Sequence, residues 1–212
     1  IRRVKDVEAW IKNNNFDLII HFAAIVPISK VNKKYKHALD VNYIGTRNLI
    51  KMIIKHKLNL KWFFYSSTSH VYPYSTKKIK ENYQLKPITK YGKTKLMAEN
   101  LITKKLNNTK IKFCIGRIFS IIDNKNKEFF LQGLINKIQN NNKIVKLDNL
   151  NHYRDFISTD QISKAILLLW SKKHQGIINI ANGKKTNLKT IAQIFAKKCK
   201  KKIFFNKNKQ TS

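Results

Sequence analysis

The sequence predicts an α/β fold built on a parallel sheet, and three observations lead to it. Apolar runs recur at Phe16–Phe22, Trp62–Ser66 and Lys112–Phe119, near-continuous rather than alternating, as strands covered on both faces require. Between them lie stretches with apolar residues at helical spacing, the longest at Asp40–Lys57 and Lys90–Lys105. With 212 residues and a hydrophobic content of 42%, the chain can bury a real core, as one large domain or two small ones.

In chain order, Val4 to Asn14 has apolar positions Val4, Val7, Ala9, Trp10 and Ile11, consistent with a short amphipathic helix, and the run Asn13-Asn14-Asn15 ends it. Phe16–Phe22 is a buried strand running into the small residues Ala23 and Ala24. The helix at Asp40–Lys57 presents Ile44, Leu49, Ile50, Ile53 and Ile54 as its apolar stripe. Trp62–Ser66 is a strand ending in a hydroxyl cluster, Ser66 to Ser69. After the helix at Lys90–Lys105 come the strand Lys112–Phe119, a helix at Phe129–Gln139 and a short strand at Lys143–Leu147. A helix over Gln161–Trp170 starts at Asp160, and another starts at Leu188. The Lys-rich end, Lys197 to Ser212, reads as a final strand and a frayed tail.

The formal net charge of +33 raises the question of nucleic acid. The excess is almost all lysine, spread along the chain, and the arginines are only Arg2, Arg3, Arg47, Arg117 and Arg154. Neither an arginine cluster for guanine readout nor a nucleic-acid module is present, so specific nucleic-acid binding is not expected. No apolar run is long enough for a membrane span. Cys114 and Cys199 lack metal-ligand spacing and read as reduced thiols of a cytoplasmic protein.

The chemistry concentrates at Tyr91-Gly92-Lys93-Thr94-Lys95. Positions i and i+4 of a helix share one face, which stacks Tyr91 and Lys95 about a turn apart. A phenol with a pKa of ~10 is a poor proton carrier at neutral pH. A neighbouring ammonium favours the phenolate and is expected to pull that value down. Such a pair can pass a proton to or from a sugar hydroxyl during hydride transfer. Taken alone, the pair reads more readily as a solvated face of a Lys-rich helix.

Leu18-Ile19-Ile20-His21-Phe22-Ala23-Ala24, Asn42-Tyr43-Ile44-Gly45-Thr46, Phe63 to Tyr72, the Tyr91/Lys95 pair and Arg154-Asp155-Phe156-Ile157 occur in this order. Together the sequence resembles the extended short-chain dehydrogenase/reductases, the NAD-dependent epimerase/dehydratase family, over nearly its whole length. The resemblance implies an NAD- or NADP-dependent epimerase or oxidoreductase acting on a nucleotide-activated sugar, with a 4-keto-sugar reductase as the alternative within the class. It assigns Thr68, Tyr91 and Lys95 to catalysis, with Ser67 and Ser69 as near alternatives to Thr68. It places Phe22, Ala23, Ala24, Asn42, Tyr91, Lys95 and Phe119 at the cofactor, and Thr68, Ser69, Ser120 and Arg154 at the substrate. Arg154 is the residue expected to fork onto a diphosphate, a geometry lysine does not match. No metal site is implied, and the helices after Asn42 and around Tyr91 imply a homodimer.

Three departures from the family pattern stand out. Ser69 and His70 follow Thr68 where dehydratases carry Asp-Glu, which argues against water elimination. Ser120 replaces an asparagine, and Ile121-Ile122-Asp123-Asn124 replaces a Tyr-Gly-Pro run. No Gly-rich turn precedes Phe16, since the first glycine is Gly45. The expectation is therefore a Rossmann-like sheet lacking its first βαβαβ units, an amino-terminally truncated fragment. It would have a partial cofactor-binding domain over 1–119 and a small substrate lobe over 120–212, with some strands returning to the main sheet. A non-catalytic remnant of the fold is the competing reading.

Overall fold

The computed structural model describes residues 1–123, 130–140, 144–147 and 150–206. Their elements run α1 (Val4–Lys12), β1 (Leu18–His21), α2 (Ile28–Lys33), α3 (Tyr35–Leu39), a π-helical segment (Asp40–Gly45), α4 (Thr46–Lys55) and β2 (Trp62–Thr68). A 3-10 turn (Ser69–Val71), α5 (Lys90–Leu106), β3 (Lys112–Ile118), β4 (Ser120–Ile122), α6 (Phe130–Asn140) and β5 (Ile144–Leu147) follow. The remainder is β6 (Tyr153–Arg154), β7 (Phe156–Ser158), α7 (Thr159–Ser171), β8 (Gly176–Ile180), β9 (Thr186–Asn187), α8 (Leu188–Lys198) and β10 (Lys202–Phe205). Phe129, Lys143 and the tail from 207 lie outside the described residues. Among the described residues, no helix is long and apolar enough to cross a membrane.

The chain divides into two compact units, Ile1–Ile118 with Ser163–Ile180, and Phe119–Ile162 with Ala181–Ser212. The first is built on a four-stranded parallel sheet of order β1-β2-β3-β8. β2 is central and buried nearly throughout, which explains its unbroken apolar run. One face of the sheet carries Ile19, Phe63, Tyr65, Phe113 and Ile115 into a core shared with Val7 and Ile11 of α1, Leu49 and Ile53 of α4, and Ala98 and Ile102 of α5. On the other face, Trp62 meets Trp170 of α7 and donates its indole N–H to the His174 carbonyl at 2.7 Å. The second unit packs α6 and α8 with the parallel pair β5–β10 around Leu134, Ile138, Val145, Leu147, Leu188 and Ala192.

Two elements differ from expectation in ways that shape the site. β2 runs two residues beyond Ser66, so Thr68 is itself a ladder residue, in register with Ile118. The helix expected from Asp40 starts at Tyr35 and widens into π geometry over Asp40–Gly45 before continuing as α4. π-helical turns inserted in α-helices are frequent at functional sites, and Asn42 sits in this one.

Candidate active site

Helix α5 begins sharply, because Thr89 accepts a hydrogen bond from the Gly92 N–H at 2.9 Å and so caps the first turn. That start lies hard against the 3-10 turn after β2. A Cβ on Gly92 would stand 2.1 Å from the His70 carbonyl oxygen, so only glycine permits this approach. The consequence is that Tyr91 is buried, at 6% exposure, beside the end of β2. The Thr68 hydroxyl lies close enough to the Tyr91 phenol to lower its pKa, and the His70 ring meets the Tyr91 ring edge-on at 5.8 Å. Thr68 Oγ1 also accepts from the His70 N–H at 3.3 Å, which leaves its own proton to point at an oxygen. Gly92→Ala is expected to destabilise the fold by about 1–3 kcal/mol, the usual cost of forced overpacking. It should also lower turnover by pushing Tyr91 off Thr68. Chemical denaturation alongside kinetics checks this, and an unchanged midpoint would mean that the approach yields freely.

Lys95, at 1% exposure, lies one turn along the same face. Its ammonium sits 4.2 Å from the centroid of the Tyr65 ring, and among the described residues no carboxylate reaches it as an ion pair. The expected depression of the phenol by this lysine is not found. Burial pushes Tyr91 up to about 12, against the smaller lowering effect of Thr68. Burial likewise pushes Lys95 down to about 7, Glu99 opposing it. An amine that has shed much of its charge on burial cannot hold a phenolate beside it. Thr68, Tyr91 and Lys95 are nonetheless brought together, from a strand end and one helical face.

Asn42 is fully buried and works as a joint. Its side-chain oxygen accepts from the Ile25 N–H at 2.7 Å, and its amide donates to the Ile25 carbonyl at 3.0 Å and to Thr94 at 3.1 Å. The segment after β1 is thereby tied to helix α5. Thr46 donates to the Asn42 carbonyl at 2.8 Å, so His21 Nε2, 2.9 Å from that hydroxyl, is its donor. Burial first, then the Lys95 charge, lowers the His21 pKa to about 3, which keeps the ring neutral. Phe22 and Ala23 are exposed beyond the end of β1, Ala24 is half-buried, and Ser69 opens the 3-10 turn.

Reading the sequence missed the buried ion pair of Arg117 and Glu99, 2.8 Å apart. The signal was present: Glu99 continues the Tyr91–Lys95 stripe by one more turn, and Arg117 is a lone arginine inside an apolar strand. Phe119, Ser120 and Arg154 belong to the second unit. There the Ser120 N–H donates to the Asp155 carbonyl at 3.0 Å, and the Arg154 guanidinium lies 4.0 Å from the Phe130 ring centroid. The Asp155 carboxylate accepts from the N–H groups of Asn182 at 2.8 Å and Gly183 at 2.7 Å, the latter at a φ of +78° that suits glycine.

The sequence pattern of the NAD dependent epimerase/dehydratase family matches residues 1–181. A protein of Methanocaldococcus jannaschii, provisionally named a UDP-glucose 4-epimerase, is 26% identical over 197 residues, 91% of this chain and 64% of its own length. The GDP-6-deoxy-D-talose 4-dehydrogenase of Aggregatibacter actinomycetemcomitans is 27% identical over 84% of this chain and 60% of its own. The chain thus spans less than two thirds of either relative. The fold is that of the UDP-glucose 4-epimerase of Thermotoga maritima, solved with UDP-glucose. That structure superposes with a TM-score of 0.83 at 17% identity, over 99% of this chain and 70% of that one. The Rossmann-like α/β fold and the motif order agree, and the chain belongs to the NAD dependent epimerase/dehydratase family.

Proposed function

We propose that the protein is an NAD(P)-dependent epimerase or oxidoreductase acting on a nucleotide-activated sugar. The observation that carries this reading is the buried convergence of Thr68, Tyr91 and Lys95 at the carboxyl end of β2. The residues fit a nicotinamide nucleotide. Lys95 offers a buried amine that lacks a carboxylate partner among the described residues, a donor set suited to ribose hydroxyls. The small residues Ala23 and Ala24 after β1 leave room for close backbone approach. When bound, the nicotinamide supplies the hydride acceptor and donor.

The chain's own residues do the rest. Tyr91 gives a proton to, or takes one from, the sugar oxygen, and Thr68 donates a hydrogen bond to that same oxygen. Lys95 holds the ribose hydroxyls. Asn42 keeps the post-β1 segment, where Phe22 would line the cofactor, in register with α5. In the second unit, Arg154 takes the diphosphate bidentately, Ser120 contacts the substrate and Phe119 the cofactor. We further propose a homodimer through α4 and α5.

A 4-keto-sugar reductase is the alternative. It is favoured by the 4-dehydrogenase relative; Ser69 and His70, standing where elimination chemistry would need carboxylates, argue only against a dehydratase. The test is turnover by the protein carrying this sequence with UDP-, GDP- and dTDP-sugars and either nicotinamide cofactor. Conversion of one nucleotide class in a cofactor-dependent way is expected. No conversion and no thermal shift across the panel would overturn the proposal.

A further inference from the structure

We propose that Arg117 and Glu99 are positioning residues for the Tyr91/Thr68 pair, holding both the helix that carries Tyr91 and the loop that leads into it. The proposal rests on the catalytic reading of Tyr91 given above and extends it to two residues that make no contact with the reacting groups.

Glu99 lies two turns beyond Tyr91 on the same helical face, 2% exposed. Its carboxylate is held from two neighbouring strands. The Ser67 hydroxyl of β2 donates to it, and Arg117 of β3 forks onto it, with Nη2 at 2.8 Å and Nε at 3.2 Å from both oxygens. Ser67 is the residue immediately before Thr68, so the helical stripe is fastened to β2 one residue from the hydroxyl it has to face. The other end of the guanidinium reaches the loop between β2 and α5. Nη1 donates to the Tyr72 hydroxyl at 2.7 Å and to the Glu81 carbonyl at 3.0 Å. Tyr72 in turn donates to the Asn179 side chain of β8 at 2.8 Å. Asn179 donates to the Ile79 carbonyl at 3.1 Å, and its N–H donates to the Glu81 carboxylate at 2.8 Å.

One planar cation therefore fixes the approach to Tyr91 and the helix after it, from the strand next to β2. Lysine cannot do both, because it lacks the fork. A buried ion pair is weak evidence for stability, since well-packed apolar replacements of both partners often restore or raise it. That separates positioning from stability by experiment. The geometry explains why charge is kept here: directional hydrogen bonds set a register that an apolar contact leaves loose.

The experiment uses the protein carrying this sequence as wild type, Ser67→Ala, Arg117→Lys and the double variant Glu99→Met/Arg117→Met. Melting temperature, kcat and KM are measured. The Tyr91 resonance is followed in protein labelled with 13Cζ-tyrosine, assigned by its loss in Tyr91→Phe. Ser67→Ala and Arg117→Lys are expected to lower kcat by about tenfold or more with KM within about threefold, the pattern of a lost transition-state alignment, and to displace the Tyr91 resonance. The double variant is expected to melt near the wild type and still to turn over slowly. An unmoved Tyr91 resonance in both single variants would overturn the proposal. So would full kcat in a stable double variant. If the wild type itself converts no nucleotide sugar, the functional reading fails, and the resonance still decides whether the clamp places Tyr91.

Discussion

Tyr91→Phe is expected to lower kcat by about 10²–10⁴-fold, the range supplied by a positioned proton carrier. The nucleotide-sugar KM should change little, because the lost interaction belongs to the reacting proton rather than to substrate binding. Stability should fall by no more than about 0.5–1.5 kcal/mol, the net worth of a single hydrogen bond. The ring keeps its packing against His70, so the variant folds as the wild type does. The acidity of the phenol adds a directional signature. Burial holds it up to about 12, so at neutral pH Tyr91 starts as an acid. Reduction of a keto sugar, which takes that proton, should be nearly flat from pH 6 to 9. Oxidation of the alcohol, which needs the phenolate, should climb with pH across that window. Stopped-flow or steady-state rates in the two directions, with Tyr91→Phe as control, measure both. Equal rates in mutant and wild type would remove Tyr91 from the chemistry.

Lys95→Met is expected to make the protein more stable and nearly inactive. Burial lowers the folded pKa from 10.5 to about 7, so between those values the unfolded chain binds the extra proton. Stability therefore rises as pH increases from about 7 towards 10.5, and it is lowest, as far as this group is concerned, at and below neutrality. Methionine fills a similar volume without a charge to desolvate. The gain at pH 7 is on the order of 2–4 kcal/mol, with the alkaline rise in stability flattened. Stability given up at a buried amine is the mark of a residue retained for function. Urea titrations of both proteins at pH 7 and pH 9.5 read the effect. A variant less stable than wild type at pH 7, with its slope against pH intact, would show that Lys95 is a structural cation.

The sheet was legible because a parallel strand buried on both faces writes itself as an apolar run, and Phe63-Phe64-Tyr65 and Phe113-Cys114-Ile115 do so. The Tyr91–Lys95 stripe was legible because helical spacing is rigid: the two residues had to share a face once α5 formed. The bonds that Asn42 makes to Ile25 and Thr94 were not legible, since partners 17 and 52 residues away leave no trace in local spacing. The π-helical segment that points Asn42 there was hidden for the same reason. Helices α2 and α3 were missed because their lysines blur any apolar stripe, and Val31 and Ala38 alone carry their burial. The two-residue strands β6 and β9 owe their existence to each other and not to propensity. The charge states were the least accessible of all. The Tyr91/Lys95 spacing announces an ammonium beside a phenol, yet full burial of both raises one and lowers the other, and burial depends on Phe63, Tyr65 and the rest of a core assembled from distant segments.

The most direct measurement uses a nucleotide sugar carrying deuterium at the carbon whose oxygen is proposed to meet Tyr91 and Thr68, mixed with the protein and oxidised cofactor and quenched within one turnover. Mass spectrometry then locates the label. Wild-type protein should break the carbon–deuterium bond and show the label on the nicotinamide, while Tyr91→Phe should leave it on the sugar. Conversion with that bond untouched, or equal label transfer by the variant, would contradict the assignment of Tyr91 as the group that moves the proton.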